Sequence, residues 1–89
     1  MKEIKIDFKE INNDKEFYEI IREKLDLPEY FGDNLDALWD SITGYIELPI
    51  KIRFLNFNNK KSDFFISIKE VFIDAEKELN GGLSFKILS

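Results

Sequence analysis

The chain has 89 residues, is 44% hydrophobic, and carries a net charge of −5 with no cysteine and no histidine. That length suits one modest core, and the hydrophobic fraction exceeds that of disordered chains, so we expect a single domain spanning residues 1–89. Without cysteine or histidine, the sequence excludes disulfides, thiolate nucleophiles, histidine-dependent triads and the commonest zinc sites. We therefore expect a protein that is not an enzyme and binds neither a cofactor nor a metal ion.

The first half of the chain begins with a strand pattern followed by a helical one. Ile4, Ile6 and Phe8 alternate with charged residues, which predicts a half-buried strand. The segment NNDKEFYEIIREKL predicts a helix with Asn13 as its N-cap and Glu16 as the capping-box partner. The loop LPEYFG then separates this helix from the next.

A second helix is predicted between an N-cap at Asp33 and a stop at Gly44. Its buried side is predicted by apolar residues at positions i, i+3, i+4 and i+7: Leu35, Leu38, Trp39 and Ile42. Asp36, Asp40 and Thr43 recur on the adjoining flank.

The second half contains two further strand patterns around a long helix. PIKIRFLNF and LSFKIL alternate as strands, and a helix is predicted from about Asp63 to Leu79, where NGG ends it. The order strand, helix, helix, strand, helix, strand favours parallel strands joined by right-handed crossovers. Because the strands alternate instead of being apolar throughout, we expect an α/β fold of two layers with helices mainly on one face.

The N-terminus MKEIKIDFKE does not resemble a secretory leader, and no apolar run approaches membrane-spanning length. We therefore expect a cytoplasmic protein that does not associate with membranes.

Negative charge is concentrated between Leu25 and Ile50, where there are six acidic residues and no basic ones. The rest of the chain is nearly neutral, with 12 acidic and 13 basic residues. A nucleic-acid ligand would require the opposite sign, so a basic protein is the expected partner. The acidic residues of this segment are Asp26, Glu29, Asp33, Asp36, Asp40 and Glu47.

Two of these carboxylates do not favour the helix that carries them. Asp36 and Asp40 repel each other at i,i+4 spacing, at a cost of roughly a few tenths of a kcal/mol. Asp40 also lies in the last turn, where the helix dipole disfavours an anion by roughly 0.3–1 kcal/mol. Tyr30 and Tyr45 flank the helix and are of a type enriched at interfaces. A merely solvated face is the alternative interpretation.

The last helix carries a second acidic line made of Glu70, Asp74 and Glu78. Lys69 and Lys77 could pair with it, so the line by itself is typical of surface decoration. Its relevance depends on whether it joins the first acidic group in space.

The segment LPEYFGDNLDALWDSITGYIELP resembles the central segment of the barstar family, intracellular inhibitors of barnase-like secreted ribonucleases, and weaker similarity covers nearly the whole chain. The resemblance implies a barstar-like two-layer domain with a three-stranded parallel sheet packed with three main helices. It also implies that a monomeric inhibitor covers a basic ribonuclease active site in a 1:1 heterodimer, with its acidic helix and loop in place of RNA.

The resemblance further implies roles for individual residues. Asp40 would stand where a substrate phosphate sits, while Asn34 and Asp36 would bond neighbouring residues of the enzyme. The other implied contacts are Tyr30, Thr43, Gly44 and Tyr45 around the second helix, and Val71, Asp74 and Glu78 on the last helix.

Three residues depart from the family pattern. Phe31 stands where a tyrosine is usual, Tyr45 replaces a tryptophan, and Asp74 replaces a glutamate and has a shorter reach. These departures keep a second hypothesis open: a barstar-like interaction module whose basic partner is a different toxin nuclease or a regulatory protein.

Overall fold

The computed structural model describes residues 2–89, which form three strands and three α-helices in the predicted order. These elements are β1 (Lys2–Asp7), α1 (Asp14–Lys24), α2 (Leu35–Gly44), β2 (Ile50–Leu55), α3 (Asp63–Leu79) and β3 (Leu83–Ile87). A short 3₁₀ turn, Phe8–Glu10, follows β1, so Phe8 begins this turn and does not end the strand as predicted.

The three strands form one parallel sheet with β2 in the centre. Ile50 at the start of β2 lies opposite Lys2 of β1 on one side and Leu83 of β3 on the other. Parallel neighbours require crossover connections, which the helices supply. The predicted α/β class and the three-stranded parallel sheet with three helices are therefore confirmed.

One face of the sheet is covered by helices and the other is open. Along β1, Ile4 and Ile6 are buried, whereas Lys5 and Asp7 are exposed. α1 packs against β1 and α3 packs against β3, while α2 packs mainly against α3. This one-sided burial explains the alternating strand pattern.

The core between the helices and the sheet is rich in phenylalanine. The ring centroid of Phe8 lies 5.9 Å from that of Phe17, 4.6 Å from Phe54 and 4.8 Å from Phe57. Phe72 of α3 contacts the same cluster, 5.2 Å from Phe54. Such pairs add roughly 0.5–1.5 kcal/mol each beyond the area they bury. This cluster holds α1 and α3 on the sheet, and α3 in turn supports α2.

The start of α1 shows a modified capping box. The Oδ1 atom of Asn13 accepts a hydrogen bond from the Glu16 amide at 2.9 Å, as predicted. The Glu16 carboxylate, however, accepts from the amide of Asn12 at 2.8 Å and not from that of Asn13. The reciprocal bond is therefore displaced by one residue.

Arg53 in the central strand is almost completely buried, although it alternates with the core residues Ile52 and Phe54. It is 8% exposed, and its guanidinium donates to the carbonyls of Ile52 at 3.1 Å and Ser84 at 2.9 Å. The carboxylate of Glu3 lies 3.8 Å from its Nε. These acceptors compensate for the loss of water around the charge.

Candidate functional site

The loop between α1 and α2 is anchored to α1 by its own side chains. Phe31 is buried and packs edge-to-face on Tyr18 with ring centroids 6.0 Å apart. Arg22 lies over the Phe31 ring, 5.9 Å from its centroid, and forms an ion pair with Asp33. Phe31 is directed into the core, whereas the neighbouring Tyr30 is 85% exposed.

The N-cap of α2 is Asn34, and the prediction that Asp33 caps this helix was wrong. The Oδ1 atom of Asn34 accepts from the Ala37 amide at 2.8 Å, and its Nδ2 donates to the Gly32 carbonyl at 2.8 Å. Asp33 has a left-handed backbone with φ of 46°, whereas an N-cap residue has an extended backbone. Asp33 therefore makes the turn and pairs with Arg22, while Asn34 caps the helix.

Asp40 borders an open cleft of about 290 Å³ between α2 and the preceding loop, called here the Asp40 cleft. It brings together four of the predicted site residues: Tyr30, Asp40, Gly44 and Tyr45. The sequence analysis did not select the remaining lining residues, which are Pro28, Phe31, Gly32, Ala37 and Ser41. These residues carry no charge, and the only signal for them was their position in the loop or within one turn of Asp40 on α2.

The negative charge of Asp40 has no counter-charge in the part of the chain that the structure describes. Two side-chain ion pairs occur within residues 2–89, Arg22 with Asp33 and Arg53 with Glu3. The last turn of α2 contains no basic residue. Asp40 is exposed, so its carboxylate is available to a cation from outside the chain.

Asp36 and Asp40 open onto different clefts although they are one turn apart. Asp36 lies near the start of α2 and lines a second cleft together with Asp33 and Asn34. Thr43 is half-buried, and its hydroxyl donates to the Trp39 carbonyl at 2.8 Å. The three residues predicted on one flank of α2 therefore differ in their surroundings. Asp36 and Asp40 line different clefts, and Thr43 is bonded within the helix.

The acidic line of α3 lies on a helix that packs against α2. Asp74 and Glu78 are exposed, and neither pairs with a lysine within residues 2–89. Val71 is half-buried against the core. None of these three residues lines the Asp40 cleft, so the structure places them on a neighbouring helix and not in the same depression.

Two further observations limit the kind of site that the described chain offers. Residues 2–89 contain no group of three or more acidic side chains arranged to hold a metal ion. Over the same range, no helix is both long enough and apolar enough to cross a membrane.

The fold and the site define a small α/β domain with an unpaired acidic surface and a cleft between exposed tyrosines. All of the chain, residues 1–89, matches the family model described as barstar (barnase inhibitor). "Putative ribonuclease inhibitor YrdF" of Bacillus subtilis (strain 168) is 36% identical over 91 residues, covering 99% of this chain and 98% of the relative. The chain belongs to the barstar family.

Family membership bears on the predicted activity as well as on the fold. Barstar-family proteins are inhibitors and not enzymes, which confirms that this protein has no catalytic role of its own. The family and the relative's name together support a ribonuclease-inhibitor role.

Proposed function

We propose that this protein inhibits a barnase-like extracellular ribonuclease by covering its active site with α2 and the preceding loop. In this proposal the chain acts as one domain, 1–89, and as a cytoplasmic monomer that forms a 1:1 heterodimer with the enzyme. Asp40 takes the position of an RNA phosphate. The observation that carries the proposal is the carboxylate of Asp40, exposed beside a cleft and unpaired within the described residues.

The physical argument rests on how Asp40 is held. A carboxylate on a helix has little backbone freedom to lose when it binds, which lowers the entropic cost of association. Charge-assisted hydrogen bonds from arginine or lysine to a carboxylate are stronger than neutral ones. A ribonuclease active site offers such cations because it must bind phosphate, and an acidic surface also steers a basic enzyme during encounter.

The exposed tyrosines supply the apolar part of the proposed interface. Tyr30 and Tyr45 are 85% and 55% exposed and border the same cleft as Asp40. Exposed aromatic side chains around a central polar contact are typical of the residues that dominate interface energies. The buried Phe31 anchors the backbone next to Tyr30, which reduces the freedom that this loop would lose on binding.

A second candidate function is binding to a different basic partner, such as another toxin nuclease or a regulatory protein. The departures at Tyr45 and Asp74 favour it, because both side chains are exposed where a partner would meet them. The departure at Phe31 bears on it less, because the ring is buried against Tyr18 and only its edge borders the Asp40 cleft.

The test is RNA cleavage by a barnase-type ribonuclease while the protein is titrated into the assay. We expect a stoichiometric loss of cleavage with the unmodified chain and a large loss of inhibition with Asp40→Asn. Asp26→Asn is the matched control, because it removes the same charge from the same acidic segment at a residue outside the Asp40 cleft. A folded protein that leaves cleavage unchanged would reject the ribonuclease and favour the second candidate.

A further inference from the structure

A third cleft, of about 360 Å³, lies between the loop after β2, the first half of α3 and the end of β3. We call it the Lys69 cleft. It is lined by three lysines and three apolar residues: Lys60, Lys61, Lys69, Phe57, Ile66 and Ile87. No acidic residue lines it, and it shares no residue with the Asp40 cleft. The function proposed above gives it no role.

The lysines of this cleft are not paired with carboxylates of the described chain. The two ion pairs within residues 2–89 involve Arg22 and Arg53 and no lysine. On α3, no carboxylate stands where a helical ion pair with Lys69 would form, because the residues three and four positions away are Phe65, Ile66, Phe72 and Ile73. The cleft therefore offers free positive charge, although the net charge of the chain is −5.

The backbone that carries Lys60 is fixed by hydrogen bonds. The Lys60 amide donates to the Phe57 carbonyl at 2.9 Å, and the amides of Phe57 and Asn58 donate to the backbone oxygen of Ser89 at 3.0 and 2.9 Å. The Lys60 ammonium lies 5.7 Å from the centroid of the Phe65 ring. Because Lys60 is already held in place, it has less freedom to lose when it binds an anion.

An exposed aliphatic side chain accompanies the lysines. Ile66 is 40% exposed and precedes Lys69 by three residues, so the two side chains lie on the same side of α3. Ile87 adds a second aliphatic side chain to the lining. The cleft therefore favours a ligand that combines anionic groups with an aliphatic group.

Two features favour an acidic peptide over a nucleic acid as this ligand. Proteins bind single strands by stacking bases on exposed aromatic rings, but Phe57 and Phe65 at this cleft are both only 5% exposed. A long polyanion would also be repelled by the acidic remainder of the chain, whereas a short acidic segment meets only the three lysines.

We propose that the Lys69 cleft is a docking site for an acidic segment of a further protein partner, in which carboxylates flank an aliphatic side chain. The carboxylates pair with Lys60 and Lys69, and the aliphatic side chain packs on Ile66. Lys69 lies on the side of α3 opposite Glu78, which follows about two and a half turns later, so this surface is separate from the proposed ribonuclease contacts.

The test uses acetyl-Glu-Leu-Glu-amide as the probe, followed by NMR of the isotope-labelled full chain at low ionic strength, where salt screens the contacts least. We expect saturable amide shifts around Lys60, Ile66 and Lys69. The uncharged acetyl-Gln-Leu-Gln-amide should cause none, and acetyl-Glu-Ala-Glu-amide should bind more weakly because its apolar side chain is smaller. Equal binding of the three peptides would overturn the inference.

Charge reversal at the cleft is compared with the same reversal elsewhere. Lys60→Glu together with Lys69→Glu should weaken binding of the acidic peptide roughly tenfold or more, since two attractive contacts become repulsive. Lys15→Glu together with Lys77→Glu changes the net charge equally at two exposed lysines outside the cleft, and should change the affinity less than about twofold. Equal weakening by both double variants would overturn the inference, because binding would then follow net charge.

Ile66→Gln tests the aliphatic contact without changing any charge. Its melting temperature should stay close to that of the parent because the side chain is exposed, and its affinity for the leucine peptide should fall to that for the alanine peptide. An unchanged preference for leucine would overturn the contact with Ile66.

A trinucleotide distinguishes a peptide site from a nucleic-acid site. UpUpU carries two phosphates and matches the two carboxylates of acetyl-Glu-Leu-Glu-amide in charge. We expect it to bind more weakly than the peptide, because the cleft offers no exposed aromatic ring for its bases. Tighter binding of UpUpU at the same amides would overturn the assignment to an acidic peptide.

Discussion

The two ends of α2 differ in whether their polar groups already have partners. At the first end, Asn34 caps the helix and Asp33 pairs with Arg22. At the other end, Asp40 has no cationic partner within residues 2–89, and Tyr45 is 55% exposed. Asn34 and Asp33 at the first end stabilise the fold, whereas Asp40 at the second end, like the unpaired Asp36 of the first turn, is available to a partner. Carboxylates that look equivalent in the sequence are thus separated by their contacts into structural and binding groups.

The largest effect on stability should come from replacing the buried Phe31, and not from replacing its exposed neighbour Tyr30. Phe31→Ala removes a ring packed against Tyr18 and Arg22, so we expect a loss of about 3–5 kcal/mol in the free energy of unfolding. Tyr30→Ala, one residue earlier, should leave stability within about 0.5 kcal/mol because its side chain is in water. Urea unfolding of both variants measures this difference, and equal losses would contradict the assignment of Tyr30 as a contact residue.

The charge of Asp40 should matter for binding and not for folding. We expect Asp40→Asn to weaken association with the ribonuclease by about 2–5 kcal/mol, because the enzyme's cations lose their counter-charge. Its melting temperature should be unchanged or slightly raised, since an anion is removed from the last turn of α2. Calorimetric titration and thermal unfolding measure the two effects. A loss of binding that follows from unfolding would remove Asp40 from the site.

These outcomes depend on features that the sequence reveals to different degrees. The order of elements and the bounds of α3 could be predicted because periodicity and the NGG stop are local signals. The choice between Asp33 and Asn34 as N-cap could not, because both residue types cap helices. It was decided by the left-handed backbone of Asp33 and by Arg22, eleven residues earlier.

The part of the site that lies within one continuous segment of the sequence could also be predicted. The flanking tyrosines and Asp40 belong to one continuous segment, and they do meet at one cleft. The part of α1 that borders the cleft at Asp36 was missed, because it depends on how the loop packs on α1 through Phe31, which is a tertiary contact. No pattern in the α1 sequence distinguishes Tyr18 from an ordinary core residue.

The cap at the first end of α2 should have a moderate effect on stability. Asn34→Ala removes the acceptor for the Ala37 amide, so we expect a loss of about 1 kcal/mol in the free energy of unfolding. Asn34→Asp keeps that acceptor and adds an anion at the favourable helix end, so it should retain most of the stability. If chemical denaturation shows the same loss for both variants, the Nδ2 bond to Gly32, and not the cap, is the stabilising contact.

A carboxylate that the fold uses should make stability depend on pH. Asp7 accepts from the Asn56 side chain at 2.8 Å and the Lys9 amide at 2.9 Å, and these bonds lower its pKa from the ordinary value of 3.8. Its contribution to stability is therefore present above that ordinary value and is lost as the pH falls through the lowered pKa.

This dependence can be measured as the difference in stability between the parent and Asp7→Asn. We expect a small difference at neutral pH that shrinks in acid as the Asp7 carboxylate is protonated. A difference that grows in acid would contradict the stated role of Asp7. Asp40→Asn provides the contrast, because its difference from the parent should not include the loss of such hydrogen bonds.

The most direct test of the central claim is whether inorganic phosphate and the Asp40 carboxylate compete for one position on the ribonuclease. Binding of the parent and of Asp40→Ala would be measured calorimetrically with phosphate replacing chloride at constant ionic strength. The account predicts opposite signs: phosphate weakens binding of the parent and strengthens binding of Asp40→Ala, because it occupies the position that the carboxylate has vacated. Weakening of both, or no effect on either, would contradict the assignment of Asp40 as a phosphate mimic.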